Sequence, residues 1–331
     1  MSAHSDRLTE LGWNAFFSDQ LSPDDQAMLT PVRVMAVHRG QIAVTGGTFD
    51  GLISPHIPGA TEESAHATVG DWLLITPQLQ VARVLTRANV FKRRTPGNVR
   101  KEQLIAANVD TLFVVASCNQ DFNLARLERY LVLAGEVGVT PVVVLTKVDK
   151  TDAAATYAEQ ARTLQPGLQV ETVNAKDPAS VARLAEWCGK GKTVALVGSS
   201  GVGKSTLIKT LTGITDILTQ AVRENDGKGR HTTTVRELHR LPQGGWLMDT
   251  PGMRELHLSD APEGLAEVFD DIVTLALDCR FSNCTHQREP GCAVRPKLAD
   301  GTLDAGRYAR WQKLVAEDTA NALLAKRRSR T

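Results

Sequence analysis

The sequence predicts a multidomain protein. A small β-barrel comes first, a parallel α/β domain forms the centre, and a metal-binding helical region follows. Three observations support this prediction. Short strand patterns separated by glycine and proline occupy the first part, apolar strands alternate with helices in the middle, and a Cys/His cluster lies near the end. A chain of 331 residues is long enough for two or three such domains.

Four short strand patterns predict the barrel, which is assigned to residues 31–90 after a lead-in over 1–30. The strand patterns are 32–38, 41–45, 71–75 and 81–85. Several short strands within roughly 60 residues are typical of a small barrel. A basic stretch follows at 91–102, and two interpretations stay open for it: a solvated linker, or a strip that contacts RNA phosphates.

Residues 103–260 alternate apolar strands with helices, as expected for a parallel α/β sheet. Within them, a glycine-rich loop fits the phosphate-binding pattern G-x-x-x-x-G-K-[ST] at every fixed position. It lies between a predicted strand at 192–197 and a predicted helix at 205–211, which is the context that the pattern requires. The predicted nucleotide contacts of this phosphate loop are Gly198, Ser199, Ser200, Gly201, Val202, Gly203, Lys204, Ser205 and Thr206.

The chemistry of these residues suits a nucleoside triphosphate. Glycines let backbone N–H groups turn toward phosphate oxygens, and the helix N-terminus adds partial positive charge. Lys204 is expected to reach the β- and γ-phosphates and to act in catalysis, and the Ser205 hydroxyl is expected to bind Mg²⁺. Downstream, Asp249 and Gly252 belong to an Asp-Thr-Pro-Gly sequence. The carboxylate can hold Mg²⁺ through water, and the glycine N–H can approach the γ-phosphate.

Two further segments fit a guanine base. A Thr-Lys-Val-Asp sequence, the base motif, follows an apolar strand and comprises Thr146, Lys147, Val148 and Asp149. The Asp149 carboxylate can accept two hydrogen bonds from the guanine N1–H and N2 amino edge, which adenine lacks. The second base motif offers backbone N–H groups to the guanine O6 and comprises Asn174, Ala175 and Lys176.

The base motif precedes the phosphate loop, whereas most GTPases have the opposite order. Base motif, phosphate loop and Asp-x-x-Gly in succession resemble the circularly permuted GTPases. Segments 11–17, 105–110 and 231–234, together with the C-terminal Cys/His cluster, are similar to the RsgA (YjeQ/YloQ) family of small-subunit ribosome biogenesis GTPases. The resemblance covers nearly the whole chain.

This resemblance implies an OB-fold for the barrel and a circularly permuted P-loop GTPase domain at 103–260. It implies that GTP is hydrolysed to GDP and phosphate with Mg²⁺. The family acts late in maturation of the small (30S) ribosomal subunit, so the subunit and its rRNA are expected partners. One residue departs from the pattern, because Thr146 stands where the family usually has Asn. Loss of one amide hydrogen bond, about 0.5–1.5 kcal/mol, predicts guanine affinity reduced a few-fold to about tenfold.

Catalysis needs a group that orients water. Many GTPases use a Gln directly after Asp-x-x-Gly, but this chain has Met253 there, which cannot do so. His231, in a loop rich in glycine and charge, is the candidate, with a solvated loop histidine as the alternative. One of the threonines at 232–234 is expected to bind Mg²⁺, and Thr233 is the chosen candidate. The loop composition predicts slow turnover that a ribosomal particle accelerates.

The C-terminal region, 261–331, contains a close cluster of metal ligands. Three thiolates and one imidazole suit a structural, tetrahedral Zn²⁺ site, and buried free cysteines with a surface histidine are the alternative. The predicted ligands are Cys279, Cys284, His286 and Cys292. A basic tail at 326–330 closes the chain and is expected to be disordered.

Bulk properties bound the remaining alternatives. The net charge of +1 gives no global field for nucleic acid. The polar N-terminus and the lack of an apolar stretch of about 18 residues predict neither signal peptide nor membrane span. Together with the reduced cysteines, these features favour a cytoplasmic protein. A monomer is expected. The open alternatives are a permuted GTPase acting on the large subunit or another RNA, a P-loop kinase, and a zinc-containing RNA-binding module.

Overall fold

The computed structural model of the chain describes residues 3–57, 66–94, 102–214, 236–249 and 261–328. The chain forms two compact units. The sheet unit comprises Met1–Phe122, Val142–Ala158 and Val170–His257. The helical unit comprises Asn123–Pro141, Glu159–Gln169 and Leu258–Thr331.

The elements of the described ranges follow one another as thirteen strands and eleven α-helices. The strands are β1 (Thr30–His38), β2 (Gln41–Gly46), β3 (Asp50–Ile53), β4 (Trp72–Ile75), β5 (Val81–Val84), β6 (Val90–Arg94), β7 (Glu102–Ala107), β8 (Thr111–Ser117), β9 (Thr140–Thr146), β10 (Gln169–Thr172), β11 (Thr193–Val197), β12 (Arg236–Arg240) and β13 (Trp246–Asp249). The helices are α1 (Ala3–Glu10), α2 (Ala15–Ser18), α3 (Pro23–Met28), α4 (Leu124–Val137), α5 (Ala154–Arg162), α6 (Pro178–Val181), α7 (Lys204–Thr212), α8 (Pro262–Val268), α9 (Asp270–Leu277), α10 (Val294–Ala299) and α11 (Ala305–Arg328).

One large sheet organises the sheet unit, with the order β10-β9-β8-β11-β13-β12-β1-β2-β3. Its central strand β11 runs parallel to β8 on one side and to β13 on the other. Every residue of β11 is buried, which explains why its sequence is continuously apolar rather than alternating. The sheet is mixed, since β12 is antiparallel to β13. The predicted α/β centre is therefore confirmed.

The N-terminal strands belong to the same sheet. Strand β1 is antiparallel to β2, β4 and β12, and the pairs Ala36–Glu237 and Val37–Arg236 join it to the central strands. Strand β5 extends β4. The short β3, whose Asp-Gly start lacks strand character, was not among the predicted strands. Within the described ranges no pairing joins β3 to β5, so closure into an OB-fold barrel stays a prediction.

The lead-in is helical and packs on two parts of the sheet unit. Phe17 and Trp13 contact Trp72, and the Trp13 and Trp72 ring centroids lie 4.7 Å apart in an edge-on arrangement. The indole N–H of Trp246, at the start of β13, donates a hydrogen bond to the Glu10 carbonyl at 2.8 Å. The N-terminal strands and β13 are thus held to the same short helices.

The ends of the basic stretch are strands. Strand β6 pairs with β7 in antiparallel fashion from Val90–Ala107 to Arg94–Glu102. Phe91, on β6, is fully buried. The apolar Val90 and Phe91 before the basic run favour the start of a strand, which the prediction of a linker or an RNA-contacting strip does not include.

In the helical unit, α4 packs closely against α8. A Cβ atom on Gly264 would lie 2.0 Å from the Val132 carbonyl oxygen, so only glycine permits this approach. Helix α11 is tied to α4 by the Arg310–Glu128 pair at 2.7 Å and by the bidentate Arg129–Glu317 pair. Asp304 caps the start of α11 through the Arg307 N–H at 2.7 Å.

Helix α11 ends at Arg328. The expectation of a disordered tail from residue 326 is wrong for its first three residues, because they continue the helix. Among the helices that the structure describes, none combines the length and apolar character needed to cross a bilayer.

Candidate functional site

The phosphate loop connects β11 to α7 and has an unusual backbone. Gly198 has φ of 144° and Gly203 has φ of 99°, values that favour glycine. A Cβ atom on Gly198 would lie 2.2 Å from the Val115 carbonyl oxygen in β8. The loop therefore passes close to the neighbouring strand, and its first fixed glycine is a steric requirement.

The start of α7 has the features of an anion site. Gly203 is the N-cap residue and provides no side-chain hydrogen bond to the first turn. The N–H groups at a helix start lack partners within the helix and carry partial positive charge. Ser205 and Thr206 lie in this first turn and are half-buried. The apolar face of α7, through Leu207 and Leu211, anchors the helix in the core.

Lys204 points back into the phosphate loop. Its Nζ donates hydrogen bonds to the carbonyl oxygens of Gly198 at 2.6 Å and Ser199 at 2.5 Å. The residue is only 7 % exposed. A buried ammonium gains from a nearby anion, because carbonyl dipoles replace only part of its lost hydration.

The base motif contacts the phosphate loop through Thr146, the last residue of β9. The Thr146 Oγ1 lies 2.5 Å from the Val202 carbonyl oxygen and 3.2 Å from that of Ala116. Thr146 therefore links the two loops through its hydroxyl, although it lacks the amide of asparagine. Its short hydroxyl reaches the phosphate-loop backbone directly, because β9 ends beside the loop.

The remaining residues of the base motif form a tight turn. Lys147 adopts the left-handed conformation with φ of 60°, and a single 3₁₀ turn covers Val148–Lys150. Asp149 is exposed, and its carboxylate lies 3.6 Å from Lys150 Nζ. A surface ion pair contributes only about 0–1 kcal/mol, so the carboxylate stays accessible to a ligand.

The second base motif is attached to α7, the helix that follows the phosphate loop. The Ala175 carbonyl accepts a hydrogen bond from Thr210 Oγ1 in α7 at 2.7 Å. Asn174 bonds its own loop, since its Oδ1 accepts from the Lys176 N–H at 3.1 Å. The structure therefore brings both base motifs and the phosphate loop together within the sheet unit.

Other predicted residues are placed only in part. Gly252, His231 and Thr233 lie outside the described residues. Asp249 is the last residue of β13, where its backbone pairs with Glu237. Since β13 is the parallel neighbour of β11, Asp249 stands at the sheet edge from which the phosphate loop leaves.

The predicted zinc ligands converge in the helical unit. Their ligand atoms all lie within 4.8 Å of one another. His286 Nδ1 is 3.5 Å from the Sγ atoms of both Cys279 and Cys292, which are 4.0 Å apart. Zn–S bonds of about 2.3 Å in a tetrahedron place sulfur atoms roughly 3.8 Å apart, so the donor set fits Zn²⁺.

The electrostatics of His286 agree with this assignment, whereas burial is the largest cause that raises the pKa of Cys284 to about 11. Burial lowers the pKa of His286 below its usual value, against the opposing charge of Glu289, which favours the neutral imidazole that binds metals. Outside the cluster, burial raises the pKa of Cys118 to about 11 and that of Cys188 to about 12. These two thiols stay protonated near neutral pH and are inert.

Three contributors to the nucleotide site were missed by sequence reasoning. The Ala116 carbonyl and the Cys118 N–H, at the end of β8, both bond Thr146. Thr210 bonds the second base motif from the second turn of α7. No sequence pattern predicts these contacts. Two of the partners are backbone atoms, and Thr210 looks like any other threonine on a helix.

These features define a P-loop nucleotide-binding protein in which the candidate base motif precedes the phosphate loop. A family model described as RsgA GTPase matches residues 84–259. The chain belongs to the RsgA GTPase family. The predicted family and its GTP-hydrolysing enzyme class are therefore confirmed.

Relatives match along most of the chain. A Mesorhizobium japonicum protein named small ribosomal subunit biogenesis GTPase RsgA is 50% identical over 97% of this chain and 92% of its own length. A Vibrio vulnificus protein named small ribosomal subunit biogenesis GTPase RsgA 2 is 49% identical over 95% of this chain and 89% of its own length.

Two solved structures share the fold. YjeQ from Thermotoga maritima has a TM-score of 0.63 and 24% identity, over 88% of this chain and 98% of that chain. YloQ, described as a circularly permuted GTPase, has a TM-score of 0.60 and 24% identity, over 88% of this chain and 96% of that chain. The predicted circularly permuted GTPase fold is confirmed.

Proposed function

We propose that the protein binds GTP with Mg²⁺, hydrolyses it to GDP and phosphate, and acts as a late maturation factor on the small ribosomal subunit. One observation carries the single nucleotide site: the 2.5 Å hydrogen bond from Thr146 to the Val202 carbonyl. It holds the base motif beside the phosphate loop, so one ligand can meet both. The names of relatives at 50% and 49% identity support the ribosomal role.

In this proposal the residues act as their chemistry suggests. The phosphate loop and the start of α7 bind the phosphates, and Asp149 selects guanine. Ser205 and Thr233 bind Mg²⁺, and Asp249 holds the ion through water. His231 orients the attacking water. The support for His231 and Thr233 is their sequence context alone.

A structural Zn²⁺ completes the proposal. Four protein ligands from three thiols and one imidazole leave no open position for water, which suits a structural ion rather than a catalytic one. Bound there, the ion would hold together the segment between α9 and α11. Trp311 in α11 lies against this segment, with its ring centroid 5.7 Å from that of His286.

The proposed partner is the small subunit with its rRNA, met by a monomer in the cytoplasm. With a net charge of +1, contact with RNA must use local basic patches. The β6–β7 ribbon carries such a patch, with Lys92 and Arg93 on its first strand.

Sedimentation with purified ribosomal subunits tests the proposal. The protein, loaded with a non-hydrolysable GTP analogue, should sediment with small subunits and much less with GDP or with large subunits. Sedimentation with large subunits instead would favour the alternative permuted GTPase. Displacement of bound GDP by excess ATP, or transfer of phosphate to an acceptor other than water, would favour a kinase.

A further inference from the structure

One carboxylate organises the loop that carries the histidine of the Cys/His cluster. Glu289 is half-buried and lies three residues after His286. Its Oε1 accepts hydrogen bonds from the Thr285 N–H at 3.0 Å and from the Thr285 hydroxyl at 2.5 Å. Its Oε2 accepts hydrogen bonds from the N–H groups of Gln287 and Arg288, each at 3.0 Å. A single side chain therefore bonds the chain on both sides of the histidine.

The backbone conformation of His286 shows what these hydrogen bonds stabilise. His286 adopts the left-handed conformation with φ of 60°, which is unfavourable for a residue that has a Cβ atom. The donors to Glu289 belong to the residue directly before His286 and to the two residues directly after it. The carboxylate therefore holds the turn in which His286 has this conformation.

The same turn presents the imidazole to the cysteines. In this conformation the Nδ1 atom of His286 lies 3.5 Å from the Sγ atoms of both Cys279 and Cys292. A ligand that is already oriented loses less conformational entropy when the ion binds. Hydrogen bonds that orient metal ligands in this way typically change metal affinity by about 10- to 100-fold.

Glu289 itself is not placed as a ligand. Each of its two oxygens already accepts two hydrogen bonds. The ligand atoms that lie within 4.8 Å of one another come from the three cysteines and His286, and this group does not include the carboxylate. Four ligands complete a tetrahedral zinc site, so the ion needs no further donor.

We infer that Glu289 is a positioning residue for the zinc site: its carboxylate fixes the turn of His286 and raises the affinity for Zn²⁺ without touching the ion. The inference rests on the proposed function, because it concerns the structural Zn²⁺ proposed there. It assigns a role to a residue outside the four predicted ligands.

Competition with a chelator tests this role in Glu289→Gln. The zinc-loaded full-length protein is equilibrated with a chelator of known affinity, and the zinc that the protein retains gives its Kd. Glutamine keeps the size of the side chain but replaces one acceptor oxygen with an NH₂ group, so two of the four hydrogen bonds are lost. The Kd for Zn²⁺ should rise by about 10- to 100-fold. An unchanged Kd would make Glu289 merely structural and would overturn the inference.

The visible absorption spectrum of the Co²⁺-substituted protein tests whether Glu289 touches the ion. At saturating Co²⁺ the spectrum of Glu289→Gln should match that of the wild type, because the three thiolates and the imidazole are unchanged. A different spectrum at saturation would place Glu289 among the ligands, and the inference would then be wrong.

Asp300→Ala is the matched control. The Asp300 carboxylate also accepts a hydrogen bond from a backbone N–H of its own loop, that of Thr302 at 2.9 Å, but this loop follows α10 and carries no predicted zinc ligand. The substitution should leave the Kd for Zn²⁺ unchanged, even where it lowers the thermal unfolding midpoint. An equal rise in Kd for both variants would contradict a specific role of Glu289.

Thr285→Val provides the test if Glu289→Gln does not fold. It removes the hydroxyl donor to Glu289 and should raise the Kd for Zn²⁺ by about two- to tenfold. No rise in this variant would overturn the inference. A wild-type protein that binds no zinc is a different result, because it contradicts the proposed zinc site itself.

Discussion

Gly198 and Gly201 show how two glycines of one loop can differ in their constraints. Both have positive φ, of 144° and 78°. A Cβ on Gly198 would meet the Val115 carbonyl oxygen at 2.2 Å, whereas a Cβ on Gly201 would meet nothing within 4 Å. Backbone atoms of a buried strand cannot move aside as a flexible side chain can. The first glycine is therefore constrained by packing, and the second by backbone conformation alone.

Gly198→Ala and Gly201→Ala should separate these two constraints. Alanine at 201 costs only the unfavourable φ, about 1 kcal/mol. Alanine at 198 adds a collision with β8 and should lower the free energy of unfolding by about 3 kcal/mol or more. GDP titration and urea unfolding of the two variants give the comparison. Equal losses would mean that the loop can move away from β8.

Local sequence patterns predict the residues of the phosphate loop but not the hydrogen bond that Thr146 makes to it. Each fixed position of the phosphate loop follows a local pattern, so its glycines and Lys204 could be predicted. The bond of Thr146 could not, because its acceptors Ala116 and Val202 are 30 and 56 residues away. Only the fold decides that the end of β9 lies beside the phosphate loop.

Among the helices, the contact between α11 and α4 depends on a buried carboxylate. Glu128 is fully buried and accepts its hydrogen bond from Arg310 at 2.7 Å, while Arg307 lies at 3.6 Å. Burial raises the pKa of the Glu128 carboxyl, and Arg310 and Arg307 oppose that rise. Burial of the charged carboxylate is therefore unfavourable in free energy, and the charges of Arg310 and Arg307 offset this desolvation.

Arg310→Met should reveal this cost as a pH-dependent loss of stability. Without its donor, the buried carboxylate should lower the free energy of unfolding by about 2–4 kcal/mol near neutral pH. In the folded protein the pKa of Glu128 lies above its ordinary value of 4.5. The free energy of unfolding therefore falls as the pH rises from that ordinary value through the pKa of the folded state. The variant raises the folded pKa further. Urea unfolding should therefore show a larger deficit at about pH 7.5 than at about pH 5.5.

Arg129→Met is the control for Arg310→Met, since it removes the cation of the partly exposed pair with Glu317. A pair of this kind contributes about 0–1 kcal/mol, and its loss should vary little over the same pH range. A larger deficit for Arg310→Met at the lower pH would mean that Glu128 is not the group responsible.

The Cys/His segment between α9 and α11 should depend on metal. Cys292→Ser replaces a buried ligand with a poor one, so the purified variant should lose the single zinc ion expected in the wild type. Its thermal unfolding midpoint should fall, because metal binding contributes to folding. Elemental analysis and calorimetry measure the two effects. Cys188→Ser, a buried cysteine far from the cluster in sequence, should keep the zinc.

Some elements could be predicted from sequence and others could not. Strands such as β9 and β11 are continuous apolar runs before recognisable loops, so pattern alone located them. Strand β3 and the β6–β7 ribbon have mixed sequences, and their partners, not their composition, make them strands. Composition does not determine where α11 ends either, since a basic run can be helical or can follow the end of a helix.

One continuous sheet connects the N-terminal strands to the two segments that are proposed to act at the γ-phosphate. These hydrolysis segments are the one with His231 and Thr233 and the one from Asp249 to Gly252. Strand β12 begins at Arg236, directly after the segment with His231 and Thr233, and β13 ends at Asp249. This hairpin pairs with β11 on one side and with β1 on the other. A partner that binds the N-terminal strands therefore meets a sheet that leads directly to the hydrolysis segments.

That continuity, with the proposed ribosomal role, predicts that small subunits accelerate GTP hydrolysis. The isolated protein should turn over slowly, because Met253 cannot orient water and His231 must be positioned by its surroundings. Bound to the subunit, the protein should release phosphate faster by roughly tenfold or more. Phosphate release at saturating GTP, with and without purified small subunits, measures the effect. His231→Ala should abolish most of the acceleration while GDP binding persists.

Large subunits provide the matched comparison, since they offer RNA and protein of similar composition without the proposed binding surface. Acceleration by small subunits alone would mean that a specific surface, rather than polyanion charge, acts on the hydrolysis segments. A rate that is already maximal in the isolated protein would remove the need for such coupling. In that case the junction of β1 with β12 serves stability only, and the hydrolysis segments need no help from the N-terminal strands.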